Sequence, residues 1–201
     1  MMEVRRRRLS DLKPDPEMWA ALDGGERLTA ILQDFYERAY VDPRLSPFFE
    51  GVTRQRAIEK QYSFLRQIFT GEDVYFGDRP SNAHHWMVIS EDLFDHREAL
   101  MESCLRRHGL PEHLVARWGA VEEVFRKVIV KAAPRPRKIH GIELPVDGYG
   151  TVELAIGSLC DGCEGAMESG SRARYHLRTG RTYCGACLPD TGSQVVPSIE
   201  S

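Results

Sequence analysis

Two sets of residues in this 201-residue chain have types and spacing suited to chemistry. The first comprises three polar side chains, Tyr36, Gln61 and Arg97, each at a position where the period of the neighbouring apolar residues puts a core. Burying a polar group without a hydrogen bond costs about 1–3 kcal/mol, and an unpaired charge costs more. A lone core polar residue commonly satisfies itself on a backbone carbonyl or reaches solvent. A phenol and a carboxamide on neighbouring helices can instead both point at one buried polar ligand. The second set is Cys160-x-x-Cys163 and Cys184-x-x-Cys187, with 20 residues between the pairs. This is the spacing of a four-thiolate zinc site. A rubredoxin-like iron site, redox dithiols and free thiols compete with it. Zinc is preferred because an iron knuckle leads one to expect proline and glycine in both turns. The fifth cysteine, Cys104, falls on an apolar helix face and reads as a small hydrophobe.

The elements that must position the first set are helices. After Gly24-Gly25, an amphipathic stretch with Leu28, Leu32, Phe35, Tyr36 and Ala39 on one face runs to Asp42-Pro43. A second carries Ala57, Gln61, Phe64, Leu65 and Ile68 at helical spacing, so a glutamine lies in its apolar stripe. Gly71 to Pro80 is rich in turn formers, and a short helical piece from Ser81 to Met87 carries His84. Ser90 suits the N-cap of the next helix, whose apolar face holds Phe94, Leu100, Met101 and Cys104. Gly109 closes that helix. Pro111 opens the last one, with Leu114, Trp118, Val121, Phe125, Val128 and Ile129 on a wide apolar face. In the cysteine-rich region, Arg174–Arg178 and Arg181–Tyr183 flank Thr179-Gly180 and read as a β-hairpin leading into the second knuckle.

The proline and basic cluster at 133–138 stops any helix and divides the chain. The expected organisation is a basic N-terminal arm at 1–15, a helical domain at 16–132, a linker at 133–148, a cysteine module at 149–190 and a flexible tail at 191–201. No run of 18 apolar residues exists to span a bilayer, and Arg5–Arg8 is not followed by an apolar secretory core, so a cytoplasmic protein without a membrane partner is expected. The net charge of -3 exerts no general pull on nucleic acid. Arg172, Arg174, Arg178 and Arg181 cluster with Tyr175 and Tyr183, yet residues from 134 onward carry seven basic and eight acidic side chains. A protein partner is therefore favoured over nucleic acid. The cysteine module is too small to hold a core alone, so metal binding supplies most of its stability.

An ordered set of motifs across residues 21–131 resembles the truncated haemoglobins, short globins with a two-over-two helical sandwich. It comprises Gly24-Gly25, Phe35-Tyr36, Asp42-Pro43-Arg44-Leu45, Pro47-Phe48-Phe49-Glu50-Gly51, Lys60-Gln61, Tyr75-x-Gly77, His84, Ile89, Phe94 and Gly109-Leu110-Pro111. The fold class expected is mainly α, a truncated globin-like sandwich followed by a small β-rich zinc-ribbon-like domain. The resemblance implies haem b, with His84 as the proximal iron ligand and Phe49 packed on the porphyrin. It also implies Tyr36 and Gln61 as the distal pair that hydrogen-bonds dioxygen. His85 is the alternative ligand, but the spacing to Ile89 and Phe94 selects His84. Adjacent helical residues point about 100° apart, so only one can face the haem. His85 is then expected to be exposed or to support the ligand from behind. Ala57 falls where some globins place a distal histidine and can neither coordinate nor donate.

Arg97 departs from the pattern, which is usually apolar or aromatic there. It is expected to bind the cofactor by reaching a haem propionate, with entry into the distal pocket and binding of anionic ligands as the other course. The function implied is binding of dioxygen and nitric oxide, with dioxygenation of nitric oxide to nitrate. No flavin or nicotinamide site is visible, so an electron-donating reductase is a required partner for turnover. Two alternatives are a haem-based gas sensor whose zinc ribbon meets a protein or nucleic-acid partner, and a haem-free scaffold.

Overall fold

The computed structural model describes residues 12–75, 77, 79–139, 142–154, 157–178 and 181–187. The Arg5–Arg8 arm, the Thr179-Gly180 turn and the 191–201 tail lie outside them. The chain forms two compact units, one of residues up to His84 and Val88–Ala132, the other of His85–Met87 and the residues from Ala133 on.

The first unit contains helices α1 (Pro16–Ala21), α2 (Glu26–Ala39), α3 (Arg54–Thr70), α4 (Pro80–Ala83), α5 (Glu91–Arg107) and α6 (Glu112–Ile129). Helix α1 starts on Asp15, whose Oδ1 accepts the Met18 N–H at 3.0 Å and whose carboxylate also holds Arg117 of α6. Gly25 precedes α2 with φ of 109°, and the Tyr62 ring occupies the space a Cβ would need there. Thr53 and Ser90 cap α3 and α5 through their side-chain oxygens. Gly71 and Gly109 end those two helices with φ of 78° and 75°. The core packs α2 against α3 and α5, and α5 against α6, around Leu28, Ile31, Leu32, Phe35, Leu65, Phe69, Met101, Cys104, Leu105, Leu114 and Trp118. Cys104 is fully buried among them. The wide apolar face expected of α6 differs from the observed one, because Val128 is exposed and Glu122 is buried.

In the second unit, β3 (Tyr149–Glu153), β6 (Arg172–His176) and β7 (Thr182–Tyr183) form a three-stranded antiparallel sheet in the order β3-β6-β7. The β6–β7 pairing puts Arg174 opposite Tyr183 and Tyr175 opposite Thr182. Tyr175 lies over the site of Gly150, where a Cβ would meet its ring at 2.5 Å. The pair β4 (Ser158–Leu159) and β5 (Ala166–Met167) carries the first cysteine turn between its strands. A further pair, β1 (Arg137–Ile139) and β2 (Ile142–Leu144), falls in the stretch expected to be a linker. His85 is buried, not exposed, and Arg135 N–H donates to its carbonyl at 2.8 Å. The Arg178 guanidinium lies 5.1 Å from the Trp86 ring centroid.

Candidate functional site

His84 is the residue that terminates α4, and a four-residue helix is too short to hold it by propensity alone. Three hydrogen bonds do so. Its N–H donates to the Pro80 carbonyl at 3.1 Å, its ring Nδ1 meets that same carbonyl at 2.9 Å, and the buried Lys131 ammonium donates to the His84 carbonyl at 2.6 Å. Lys131 is itself fixed by an N–H bond to Ile89 O at 2.9 Å. An acceptor at Nδ1 requires Nδ1 to carry the proton, so Nε2 presents a lone pair. The ring is only partly covered, yet the protein around it desolvates the imidazole and pushes its pKa down to about 4. The Pro80 bond opposes that shift, while the charges of Lys131 and Arg97 add to it. At neutral pH it is a neutral base with one nitrogen free.

Tyr36 is 8% exposed, held edge-on by the rings of Phe35 at 5.0 Å and Phe49 at 5.8 Å. Phe49 is in turn stacked on Tyr40 at 4.5 Å, and Tyr40 is anchored by its hydroxyl to Val52 O. Burial raises the Tyr36 phenol above its ordinary pKa despite the nearby Arg97 cation, so the hydroxyl keeps its proton. No hydrogen bond reaches that hydroxyl among the described residues. Gln61 lies half-buried on α3, the helix packed on α2, and its carboxamide is likewise unpartnered there. Ala57, one turn earlier, is buried.

Arg97 reaches across α5 to α6, where its Nη1 donates to Glu122 Oε1. Its guanidinium lies over the Phe35 ring, 5.0 Å from the centroid. Its charge acts on both Tyr36 and His84, so these three groups share one region of the unit. Behind the pair sits a second acid, Glu98, bonded to Arg126 at 2.7 Å. Burial and the neighbouring Glu122 outweigh that cation and raise the Glu98 pKa to about 7. Glu122 and Lys131 escape sequence reasoning. The one available signal was a carboxylate four residues after Trp118 on the core face of α6. His96, His108 and His113 pair with Asp42, Asp34 and Glu17 at helix ends and surfaces.

The four cysteines of the second unit converge, with all four sulfurs within 4.8 Å of one another and Cys163 Sγ 3.9 Å from Cys184 Sγ. Tetrahedral zinc–thiolate bonds of about 2.3 Å put sulfurs about 3.8 Å apart. Backbone N–H groups of Cys184 and Gly162 donate to Cys160 Sγ at 3.3 and 3.4 Å. These bonds, Cys184 N–H first, hold the Cys160 thiol well below its usual range, while the hydrogen bonds of the other sulfurs, Cys163 first, push Cys187 up. Glu164, just past the first knuckle, adopts φ of 58°. His176 stays out of the cluster and pairs with Asp147 at 2.9 Å.

The model of the bacterial-like globins matches residues 17–129, and the chain belongs to that family. The group 1 truncated hemoglobin GlbN of Synechocystis sp. is 32% identical over 108 residues, 52% of this chain and 87% of that protein. A group 1 truncated hemoglobin of Tetrahymena thermophila is 22% identical over 58% of this chain and 96% of its own length. Among solved structures, the truncated hemoglobin of Tetrahymena pyriformis in its Fe(III) form superposes with a TM-score of 0.53, at 23% identity. That match covers 56% of this chain and 97% of that one. The helical unit is therefore a truncated globin, and membership in the family implies haem-based gas binding. Residues beyond 129 lie outside the family match.

The residues present fit a haem. His84 offers a neutral nitrogen with its other nitrogen committed, as a metal-bound imidazole requires. The Tyr36 ring is buried while its hydroxyl has no acceptor among the described residues, so it is available to donate to a polar ligand at the iron.

Proposed function

We propose that the helical unit holds one haem b through His84 Nε2 and binds diatomic gases, dioxygen first, on the side lined by Tyr36 and Gln61. The observation that carries this reading is the pairing of a neutral imidazole whose Nδ1 is already engaged with a core phenol whose hydroxyl bonds to none of the described residues. When bound, the haem supplies an iron with an open position for a diatomic ligand. The chain's own residues do the rest. The Pro80 carbonyl fixes the tautomer and ring plane of His84, and Lys131 fixes its peptide. Tyr36 O–H and the Gln61 amide donate toward the ligand, where negative charge builds in a low-dielectric setting. Phe49 packs on the porphyrin and keeps the Tyr36 ring in place. Ala57 leaves that side without a competing ligand.

The same pocket suits conversion of nitric oxide and dioxygen to nitrate, with one electron drawn from the haem and restored by a separate reductase. In the second unit, Cys160, Cys163, Cys184 and Cys187 hold one zinc ion, supported by the sulfur spacing and by two backbone donors on Cys160. A ribbon of near-neutral charge favours a protein partner for this module. This reading places the protein in a reducing cytoplasm, where the four thiols stay available to the metal.

The test is an absorption spectrum with metal analysis of the purified protein. One haem iron and one zinc per chain, with the Soret band lost on His84→Gly, are expected. A protein without a Soret band is a scaffold and refutes the reading. Nitrate formed on mixing the oxygenated protein with nitric oxide, and slowed by Tyr36→Phe, tests the reaction.

A further inference from the structure

Arg97 has no task in gas binding, yet its setting is costly. The spacing Phe94, Arg97, Met101, Cys104 puts it on the face of α5 that is otherwise buried and apolar. A guanidinium placed there needs compensation. Glu122 supplies a carboxylate and Phe35 an aromatic face. The compensation is partial, however. Only Nη1 is bonded among the described residues, which leaves Nε and Nη2 of a rigid five-donor fork available. A guanidinium that served only to neutralise Glu122 would present two N–H groups side by side to its carboxylate, the strongest geometry for that pair. Here one edge faces Glu122 and the other is free, on a side chain that is 24% exposed. The Phe35 ring that Arg97 covers lies 5.0 Å from the Tyr36 ring, which puts the guanidinium on the Tyr36 side of the unit, and its charge is felt at both the Tyr36 phenol and the His84 ring.

We propose that Arg97, held from behind by Glu122, is a specificity-determining residue that directs the haem pocket toward small anions such as azide and nitrite at ferric iron, over neutral ligands. The inference rests on haem binding at His84. Carboxylates of the haem itself are the other source of the same anionic chemistry. A propionate would engage Arg97 permanently, whereas an exogenous anion would do so only on ligation.

The experiment is a spectral titration of the ferric, haem-loaded protein with azide and with imidazole, in the native chain and in Arg97→Gln and Glu122→Gln. A charge-assisted hydrogen bond lost from the anion complex predicts azide weakened about tenfold or more in Arg97→Gln, with imidazole changed by less than about threefold. Glu122→Gln removes the competing carboxylate and should tighten azide. This opposite sign keeps the idea testable if Arg97→Gln does not fold. Parallel shifts of azide and imidazole, or azide unmoved by Glu122→Gln, overturn it. Reconstitution with haem dimethyl ester, which lacks the carboxylates, separates the two sources. Azide selectivity that persists supports the proposal. An Arg97→Gln effect confined to faster haem loss, and absent with the ester, makes Arg97 a propionate clamp and refutes it. Absence of a Soret band refutes the haem reading and this one together, whereas a Soret band without anion selectivity refutes this one alone.

Discussion

Replacing Tyr36 by Phe removes one oxygen and should leave one measurement almost in place while moving another. The ring is fixed by Phe35, Phe49 and Tyr40 and would stay where it is. In the haem-free protein the hydroxyl bonds to no described residue, and it is not among the polar atoms sealed from solvent without a partner, so water can satisfy it. The full cost of about 1–3 kcal/mol for a buried unsatisfied group does not apply. Haem-free Tyr36→Phe should therefore change stability by less than about 0.5 kcal/mol. For a helical unit of this size that is a melting-point shift of less than about 2 °C. With haem and dioxygen bound the change is large, because the phenol then donates to an oxygen bearing partial charge. Loss of about 1.5–3 kcal/mol corresponds to oxygen release faster by about 10- to 100-fold. The assays are thermal melts of the haem-free protein followed by circular dichroism, and stopped-flow oxygen dissociation from the loaded one. A lower melting point would mean the hydroxyl bonds within the protein. Unchanged release would mean it does not face the ligand. Either result refutes the assignment of Tyr36 as a preformed donor.

Two further perturbations probe the charges and the second unit. Glu98 has a folded pKa of about 7 against an ordinary value of 4.5, raised first by burial and then by Glu122, so it binds more protons folded than unfolded between those limits. Its contribution is complete below pH 4.5 and is lost as pH rises through 7. Glu98→Gln, which cannot ionise, should gain on the native chain by up to about 3 kcal/mol between pH 4.5 and 8, read from denaturant melts across that range. A constant difference would refute the shift. At the first knuckle, Glu164 is exposed and sits at φ of 58°, a conformation that costs an L-residue about 1–2 kcal/mol. Glu164→Gly should raise the stability of the metal-loaded second unit by about 1 kcal/mol in a denaturant melt. A loss of stability would reveal a contact of the Glu164 side chain.

Long amphipathic helices were readable because α2, α3, α5 and α6 each repeat their apolar residues over several turns. The Ser90 cap and the Gly109 stop followed from local backbone chemistry. The cysteine cluster was readable because two sulfurs on one turn need only a short spacing. The short elements were not. Helix α4 has one turn, and β1 to β5 have two to five residues, too few for a period to declare itself. Glu122 was not singled out because its partner Arg97 lies 25 positions away, and only the packing of α5 on α6 brings the two together. Lys131 lies past the end of α6, and its role depends on Ile89 and His84, which reach it through the fold. His85 was expected at the surface or behind the ligand, and its burial depends on a backbone partner 50 positions away, Arg135.

The costs in each unit collect at one place. In the helical unit, an unpartnered phenol, an imidazole held neutral and a half-satisfied guanidinium all lie within electrostatic reach of one another, whereas the other arginine pairs of that unit are mostly at its surface. Replacing a buried ion pair by apolar side chains is often neutral or stabilising by about 1–4 kcal/mol, so stability alone does not explain Arg97 and Glu122 on opposed core faces. In the second unit the same holds for four crowded sulfurs, one thiol held low and another pushed high. Each cost is one that a particular group removes. On the proposed reading, a ligand-bearing iron would take the imidazole nitrogen and give the phenol and the guanidinium an acceptor, and a divalent metal would turn sulfur crowding into coordination. Local rules of folding are broken at functional sites because the missing partner is not part of the chain.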